Sequence, residues 1–401
     1  MQPTVPDTAR LTPHAEAAEA EAVAQTSPAG RARGWAEAAR TWLRAGRPDR
    51  VAVALERAEQ EAERAHDVTA RGVVAAVAAE QALRVGRTRP AVLHAEAAVH
   101  DLAEGADDEL ARALLVLATA READGGVEVD ALLEEAARRA DGEGRGVALE
   151  IALARASRPV RLGHPGQALR ALRQVVSAAE AAGDPVLEAA ALTALGRALV
   201  DARDYVRARP AHERALALHA ALGARPGVVA SLGGLGLCKL GTGGTADAVP
   251  LLTRAIDGCR ATGDLPAEAA WRAHLDHALV LLQRTEWRAR ELRRFVEVVR
   301  ALGDEAGTAS LLCELGNTLR EVRDLEGSAA AHAASLAISE ARGDAHAASI
   351  DHANLGWTAL AADDLDAAHA AFRRALELAA PDAPHRPAVA EILTRLDQRP
   401  T

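Results

Sequence analysis

The sequence predicts an all-α fold, a linear solenoid of antiparallel helix pairs, and three observations carry the prediction. Leu-Gly recurs at 195–196, 235–236, 315–316 and 355–356, a spacing of 40 residues. Gly-Asp keeps the same spacing at 183–184, 263–264, 303–304 and 343–344, with Gly223-Ala224 in the remaining place. A fixed period in this range means stacked repeats, each burying its apolar face against its neighbours. Each repeat holds two helical stretches: Leu187, Ala191, Leu195 and Leu199 mark the first of one repeat, and residues 204–223 carry a second apolar stripe. Strand-type alternation is absent throughout.

Taken in order, residues 1–30 are rich in Pro, Ala and Glu and are expected to be a mobile lead-in with a weak acidic helix around 14–25. Residues 31–143 read as helical hairpins with irregular spacing, roughly 31–67, 68–105 and 106–142. The regular array spans 144–381. Its first repeat, 144–183, is in phase through Ala156, Ala168 and Leu172 but lacks the glycine; repeats 184–223, 224–263, 304–343 and 344–381 carry the full pattern. Residues 382–401 supply a capping helix, over 385–398, and a tail. Between repeats, a glycine ends one helix and an Asp supplies the N-cap of the next.

The glycine inside the first helix, as in "CELGNTLREVRD" at 313–324, costs about 1 kcal/mol relative to alanine. Its recurrence in one phase predicts a close approach between the paired helices. Small residues twelve and nineteen places later suggest the contact surface: Ser328 and Ser335 for Gly316, Ala208 and Ala215 for Gly196, Ala368 and Ala375 for Gly356. The repeat at 264–303 breaks the rule, with Asp276 for glycine and with Arg288 and Phe295 for the small residues. Either its helices splay or Asp276 pairs with Arg288, since an unpaired buried charge is costly.

This pattern of Leu-Gly followed by small residues at those two spacings resembles the tetratricopeptide repeat, in a longer 40-residue form. The resemblance is specific over about half the chain. It implies a right-handed superhelical stack whose first helices line a concave face. Similar repeats form regulatory regions of bacterial regulators and of adaptor proteins. The array takes up nearly all of the sequence, so a free-standing scaffold is expected.

Composition excludes several classes. The net charge is −10, aromatics make up 2%, and Lys239 is the single lysine. Such a chain lacks both the counter-charge and the stacking platforms that nucleic acid requires. Cys238, Cys259 and Cys313 show no CxxC spacing, so neither a disulfide framework nor a zinc ribbon is expected, and a cytoplasmic location fits. No secretory signal and no run of apolar residues long enough for a membrane span are present. "GGLGLCKLGTGG" at 233–244 lacks the Gly-Lys-Ser/Thr of a phosphate loop. His274 and His277 could share a helix face, but no third ligand lies near them in sequence, so no metal site is expected. His212 and His332 occupy the slot of Leu252 and Phe372 and read as packing residues. No nucleophile–base constellation stands out, so neither catalysis nor a cofactor is expected.

The expected function is therefore binding of a protein or peptide segment on the face of the first helices. Residues three before, one after and four after the central glycine form a stripe there. It includes Thr193, Arg197, Leu237, Leu240, His277, Val280, Cys313, Asn317, Arg320, Trp357 and Leu360. Of these, Arg197, His277, Asn317, Arg320 and Trp357 have the chemistry to hold an extended peptide through its backbone, its carboxylates and one apolar anchor. A second candidate surface is the arginine cluster Arg290, Arg293 and Arg294, flanked by Trp271 and Trp287, which suits an acidic partner segment. The alternatives are a stand-alone sensor of a signalling peptide or small molecule, and an accessory enzyme with its site on the same face. Oligomeric state and partner identity are not encoded in any motif.

Overall fold

The computed structural model describes residues 10–104, 107–140 and 145–398, and it contains helices and no strands among those residues. Helix α1 (Leu11–Ala24) comes first. Nine helix pairs follow: α2 (Pro28–Ala45) with α3 (Pro48–Ala65), α4 (Val68–Arg84) with α5 (Thr88–Leu102), α6 (Asp107–Ala123) with α7 (Val129–Arg139), α8 (Arg145–Arg161) with α9 (Pro165–Ala182), α10 (Pro185–Asp201) with α11 (Tyr205–Leu222), α12 (Arg225–Gly241) with α13 (Thr245–Thr262), α14 (Leu265–Leu281) with α15 (Thr285–Ala301), α16 (Glu305–Glu321) with α17 (Leu325–Ala341), and α18 (Ala345–Ala361) with α19 (Leu365–Leu378). Helix α20 (Arg386–Asp397) closes the stack and buries Val389 against Phe372 and Ala375.

Capping follows the sequence closely. Asp184 accepts hydrogen bonds from the amides of Val186 and Leu187, both at 3.0 Å. Asp304, Asp324, Asp344 and Asp364 each accept from the amide three residues on. Each such cap stabilises its helix by about 1 kcal/mol. The turns between repeats place glycines such as Gly223 in the left-handed region, at φ 73°. Within pairs, the turns at Arg203, Gln283, Arg323 and Asp363 adopt the same conformation without glycine, whereas Gly46, Gly86, Gly125, Gly163 and Gly243 supply it in the other pairs.

The helix-interior glycines make a different contact from the one expected. A Cβ on Gly316 would lie 2.5 Å from Nε2 of His332, and one on Gly196 would lie 2.6 Å from Nε2 of His212. Gly236 meets Leu252 and Gly356 meets Phe372 in the same way. The close neighbour is therefore the bulky residue sixteen places later, not the small residues at twelve and nineteen. Those small residues serve elsewhere: Ser328 hydrogen-bonds to Thr358, and Ser335 donates to the carbonyl of Ala309 and to Asp351. A missing Cβ thus receives the knob that the partner helix presents.

The chain divides into two compact units, Met1–Trp271 and Arg272–Thr401, with the division inside α14. The boundary expected at 143/144 and residues 1–9 of the lead-in lie outside the described residues. Residues 11–24 are helical, where a weak helix was expected around 14–25 of the lead-in. They form α1, which packs on α2 with Leu11, Ala15 and Ala22 buried, and Glu19 accepts a 2.8 Å hydrogen bond from Trp42 Nε1.

In the first unit, early and late pairs meet directly. Arg44 pairs with Glu150 at 2.9 Å and Arg84 with Asp264 at 3.2 Å. A Cβ on Gly46 would come within 2.8 Å of Thr262 and 2.9 Å of Pro226. In the second unit, the repeat that breaks the pattern is held by an internal ion pair. Arg288 donates to both carboxylate oxygens of Asp276 at 2.7 and 3.2 Å, and also to Thr318 and Glu314. No helix is long and apolar enough to cross a membrane among the described residues.

Candidate functional site

The first helices α8, α10 and α12 stand side by side in the first unit. Their periodicity puts bulky apolar residues into the pair interfaces and leaves a stripe of mixed chemistry on the other face. Between them lies a cleft of 370 Å³, completed at one end by Trp271 on α14. Its apolar surface comes from Val160, Ala190, Ala194, Val200 and Leu237, and its rim carries Arg161, Arg197 and Asp201. Pockets for small ligands start near this volume.

Two features make the cleft. Glycine replaces a side chain at Gly233 and Gly234, so the Trp271 indole and the His212 ring reach the backbone of α12. This accounts for the glycine-rich stretch at 233–241, which is helical and packed, not a phosphate loop. The His212 ring is buried below the cleft. Burial lowers its pKa to about 4, partly offset by the Gly196 backbone, and keeps it neutral. His219 is held neutral by burial in the same way, at about 4, and its Nε2 lies 3.1 Å from Thr193 Oγ1.

Arg197 is an exposed charge of the rim. Its Nε donates to Asp201 at 2.9 Å, but its side chain remains 61% exposed. An exposed pair of this kind contributes ~0–1 kcal/mol, so a carboxylate entering the cleft competes with Asp201 on nearly equal terms. Arg161 is likewise half-exposed and pairs with Glu122.

The other residues singled out from the sequence fall in the second unit or at its start. His277 on α14 is exposed. Asn317 Oδ1 accepts from Arg320 at 3.0 Å, and Arg320 also reaches the carbonyl of Asn354. Burial lowers the Arg320 pKa. Trp357 sits edge-on against Phe372, with ring centroids 4.9 Å apart, and so is partly engaged in packing. On α15, Arg293 pairs with Asp324 at 2.9 Å and Arg294 with Glu291 at 3.6 Å, while Arg290 is exposed. Only Arg197, with Thr193 and Leu237, lines the cleft. Arg161 and His212 were not legible as site residues, because each lies on a different repeat, and Trp271 was singled out only as a flank of the Arg290, Arg293 and Arg294 cluster. The doubled glycine at 233–234 was the available signal.

Comparison with known proteins supports the repeat reading. Residues 187–261 match the sequence model of the tetratricopeptide repeat family. Among solved structures, the fold is similar to a signal transduction ATPase with numerous domains, a protein with a tetratricopeptide repeat sensor from Pyrococcus horikoshii. The TM-score is 0.58 at 13% identity over 90% of this chain, which spans 55% of that protein's length. It is also similar to a Rap protein solved in complex with Competence and Sporulation Factor, with a TM-score of 0.56 at 10% identity, covering 90% of this chain and 99% of that one. At such identities the likeness concerns the fold. No curated protein matches the sequence. The chain is thus an all-α stack of tetratricopeptide-type repeats, an architecture that is generally non-catalytic.

Proposed function

We propose that this stack of tetratricopeptide-type repeats is a non-catalytic regulatory module that binds a peptide or protein segment through the cleft between α8, α10 and α12. The observation that carries the reading is the pairing of an apolar floor with two half-free arginines on one rim. An extended segment would set an apolar side chain on Leu237 and Val200 and direct a carboxylate to Arg197, gaining bidentate geometry that Asp201 does not use fully. The contacts between early and late pairs favour one discrete cleft over a continuous groove in this unit. The similar Rap protein was crystallised with Competence and Sporulation Factor and the similar Pyrococcus protein carries a tetratricopeptide repeat sensor, which agrees with a ligand-binding role. The thiols of Cys238 and Cys313 agree with a reducing cytoplasm.

The volume of the cleft also accommodates a small carboxylate-bearing molecule, which is the sensor form of the same reading. Both forms are tested by screening a fluorescent peptide library and a metabolite set against the purified chain, then repeating any hit on Arg197→Ala and Leu237→Glu. Each variant should weaken binding at least about tenfold, the loss of one charge-assisted contact or of the apolar floor. Charge reversal of Arg290, Arg293 and Arg294 should leave it unchanged. Binding that survives both cleft variants and disappears on the reversal would move the site to α15.

A further inference from the structure

In the second unit, away from the cleft, three metal-ligating groups converge from three successive helices: Cys313 on α16, His332 on α17 and Asp351 on α18. One ligand atom from each lies within 4.8 Å of the other two. No short sequence motif announces them, because the repeat places them together only after two turns of chain.

The surroundings are those of a built site. His332 is 0% and Asp351 2% exposed. Neither ring nitrogen of His332 has a hydrogen-bond partner, although nearly all buried polar side-chain atoms find one. Packing does not require an imidazole there, since the same slot holds Leu252, Leu292 and Phe372 in other repeats. His212 shares the slot, but the positions equivalent to Cys313 and Asp351 are then Thr193 and Ser231, so the trio is particular to this repeat. Asp351 is oriented from behind: Ser335 and Ser339 hydroxyls both donate to its Oδ2 at 3.0 Å, leaving lone pairs free on a carboxylate that offers about four. Such outer hydrogen bonds are what ligating carboxylates ordinarily have. Cys313 is half-buried and gives access from solvent, and Asn354 Nδ2 lies 3.3 Å from its sulfur.

We propose that Cys313, His332 and Asp351 form a three-ligand site for Zn²⁺ that ties α16, α17 and α18 together, with its fourth position open on the solvent side beside Cys313. A thiolate, an imidazole and a carboxylate form a borderline-soft donor set that suits Zn²⁺ and not Mg²⁺ or Ca²⁺. Zinc–ligand bonds of about 2.0–2.3 Å put donor atoms about 3.3–3.8 Å apart, so side-chain rotations that bring the donors closer by about 1 Å complete the site. The charges balance: thiolate and carboxylate together offset the dication, so nearby Arg320 does not oppose binding. The proton balance is equally simple. Zn²⁺ replaces the thiol proton of Cys313, forming the Zn–S bond and releasing one H⁺ to solvent.

The test uses the full chain after chelator treatment, titrated with Co²⁺ as a spectroscopic substitute and then with Zn²⁺. One equivalent of Co²⁺ should produce a thiolate-to-cobalt charge-transfer band that Zn²⁺ abolishes, and Zn²⁺ should raise the melting temperature. Cys313→Ala should lose the band. His332→Leu, which copies the residue of sister repeats, and Asp351→Asn should bind at least about tenfold more weakly, with circular dichroism unchanged. Absence of the band in the wild type, a band that persists in Cys313→Ala, or equal affinity in His332→Leu and Asp351→Asn would each overturn the assignment.

Discussion

Gly316→Ala tests the packing of the array most directly. In a free helix this change stabilises by about 1 kcal/mol. Here the new methyl would sit 2.5, 2.6 and 2.7 Å from three atoms of the buried His332 ring. Contacts under 3 Å force the ring or the helix to move, and overpacking of this kind costs typically about 1–3 kcal/mol. The net effect is a loss of about 0–2 kcal/mol, which for a unit of this size lowers the melting temperature by roughly 3–6 °C per kcal/mol. The decisive measurement is the double-mutant cycle. His332→Ala alone opens a cavity and should cost about 2–4 kcal/mol. In that background the Gly316→Ala methyl enters the vacated space and should stabilise the protein. The sign of the alanine effect should therefore reverse, with a coupling of at least about 1 kcal/mol. Thermal and urea melts followed by circular dichroism, with chelator present throughout, give the values. A methyl that stabilises the wild type, or that acts identically in both backgrounds, would refute the account of the helix-interior glycine.

Three further outcomes follow from the same geometry. His212, His219 and His332 ordinarily titrate near 6.5 and are lowered to about 4 by burial. The unfolded chain then binds more protons than the folded one, so the stability each contributes is complete above pH 6.5 and is lost as pH falls towards 4, by at most about 3 kcal/mol apiece; melting temperatures of the metal-free protein should drop across that window, and less so in His212→Leu/His332→Leu. Gly46→Ala combines a φ of 69° with a methyl 2.8 Å from Thr262, so it should destabilise by more than about 1 kcal/mol and increase proteolysis near residue 46; resistance equal to wild type would deny the contact between the first and sixth helix pairs. Asp276→Ala removes the bidentate partner of the largely buried Arg288, leaving it Glu314 and Thr318, and should cost about 1–3 kcal/mol, whereas Asp276→Gly with Arg288→Ala, which restores the pattern of the other repeats, should recover most of it in a urea melt.

The class of fold, the pairing of helices and the caps were determined by the sequence itself, since they depend on local spacing. An Asp three residues before an amide, or an apolar residue every three or four positions, acts within one turn of helix and needs no distant partner. The helix-interior glycine was also visible locally, and so was the need for close approach. Which residue approaches was not, because the knob sixteen places later and the small residues at twelve and nineteen recur with the same 40-residue period, and periodicity alone cannot separate them. The cost of an unpaired buried charge narrowed the irregular repeat to splayed helices or an Asp276–Arg288 pair, and only the packed helices decided for the pair. The cleft was beyond local reading, since Arg161, Arg197, Leu237 and Trp271 come from four helices whose registry is set by how each repeat rests on the last. The same holds for Cys313, His332 and Asp351. Only the stacking of whole repeats, driven by burial of apolar surface between them, brings residues so far apart in sequence within reach of one ligand.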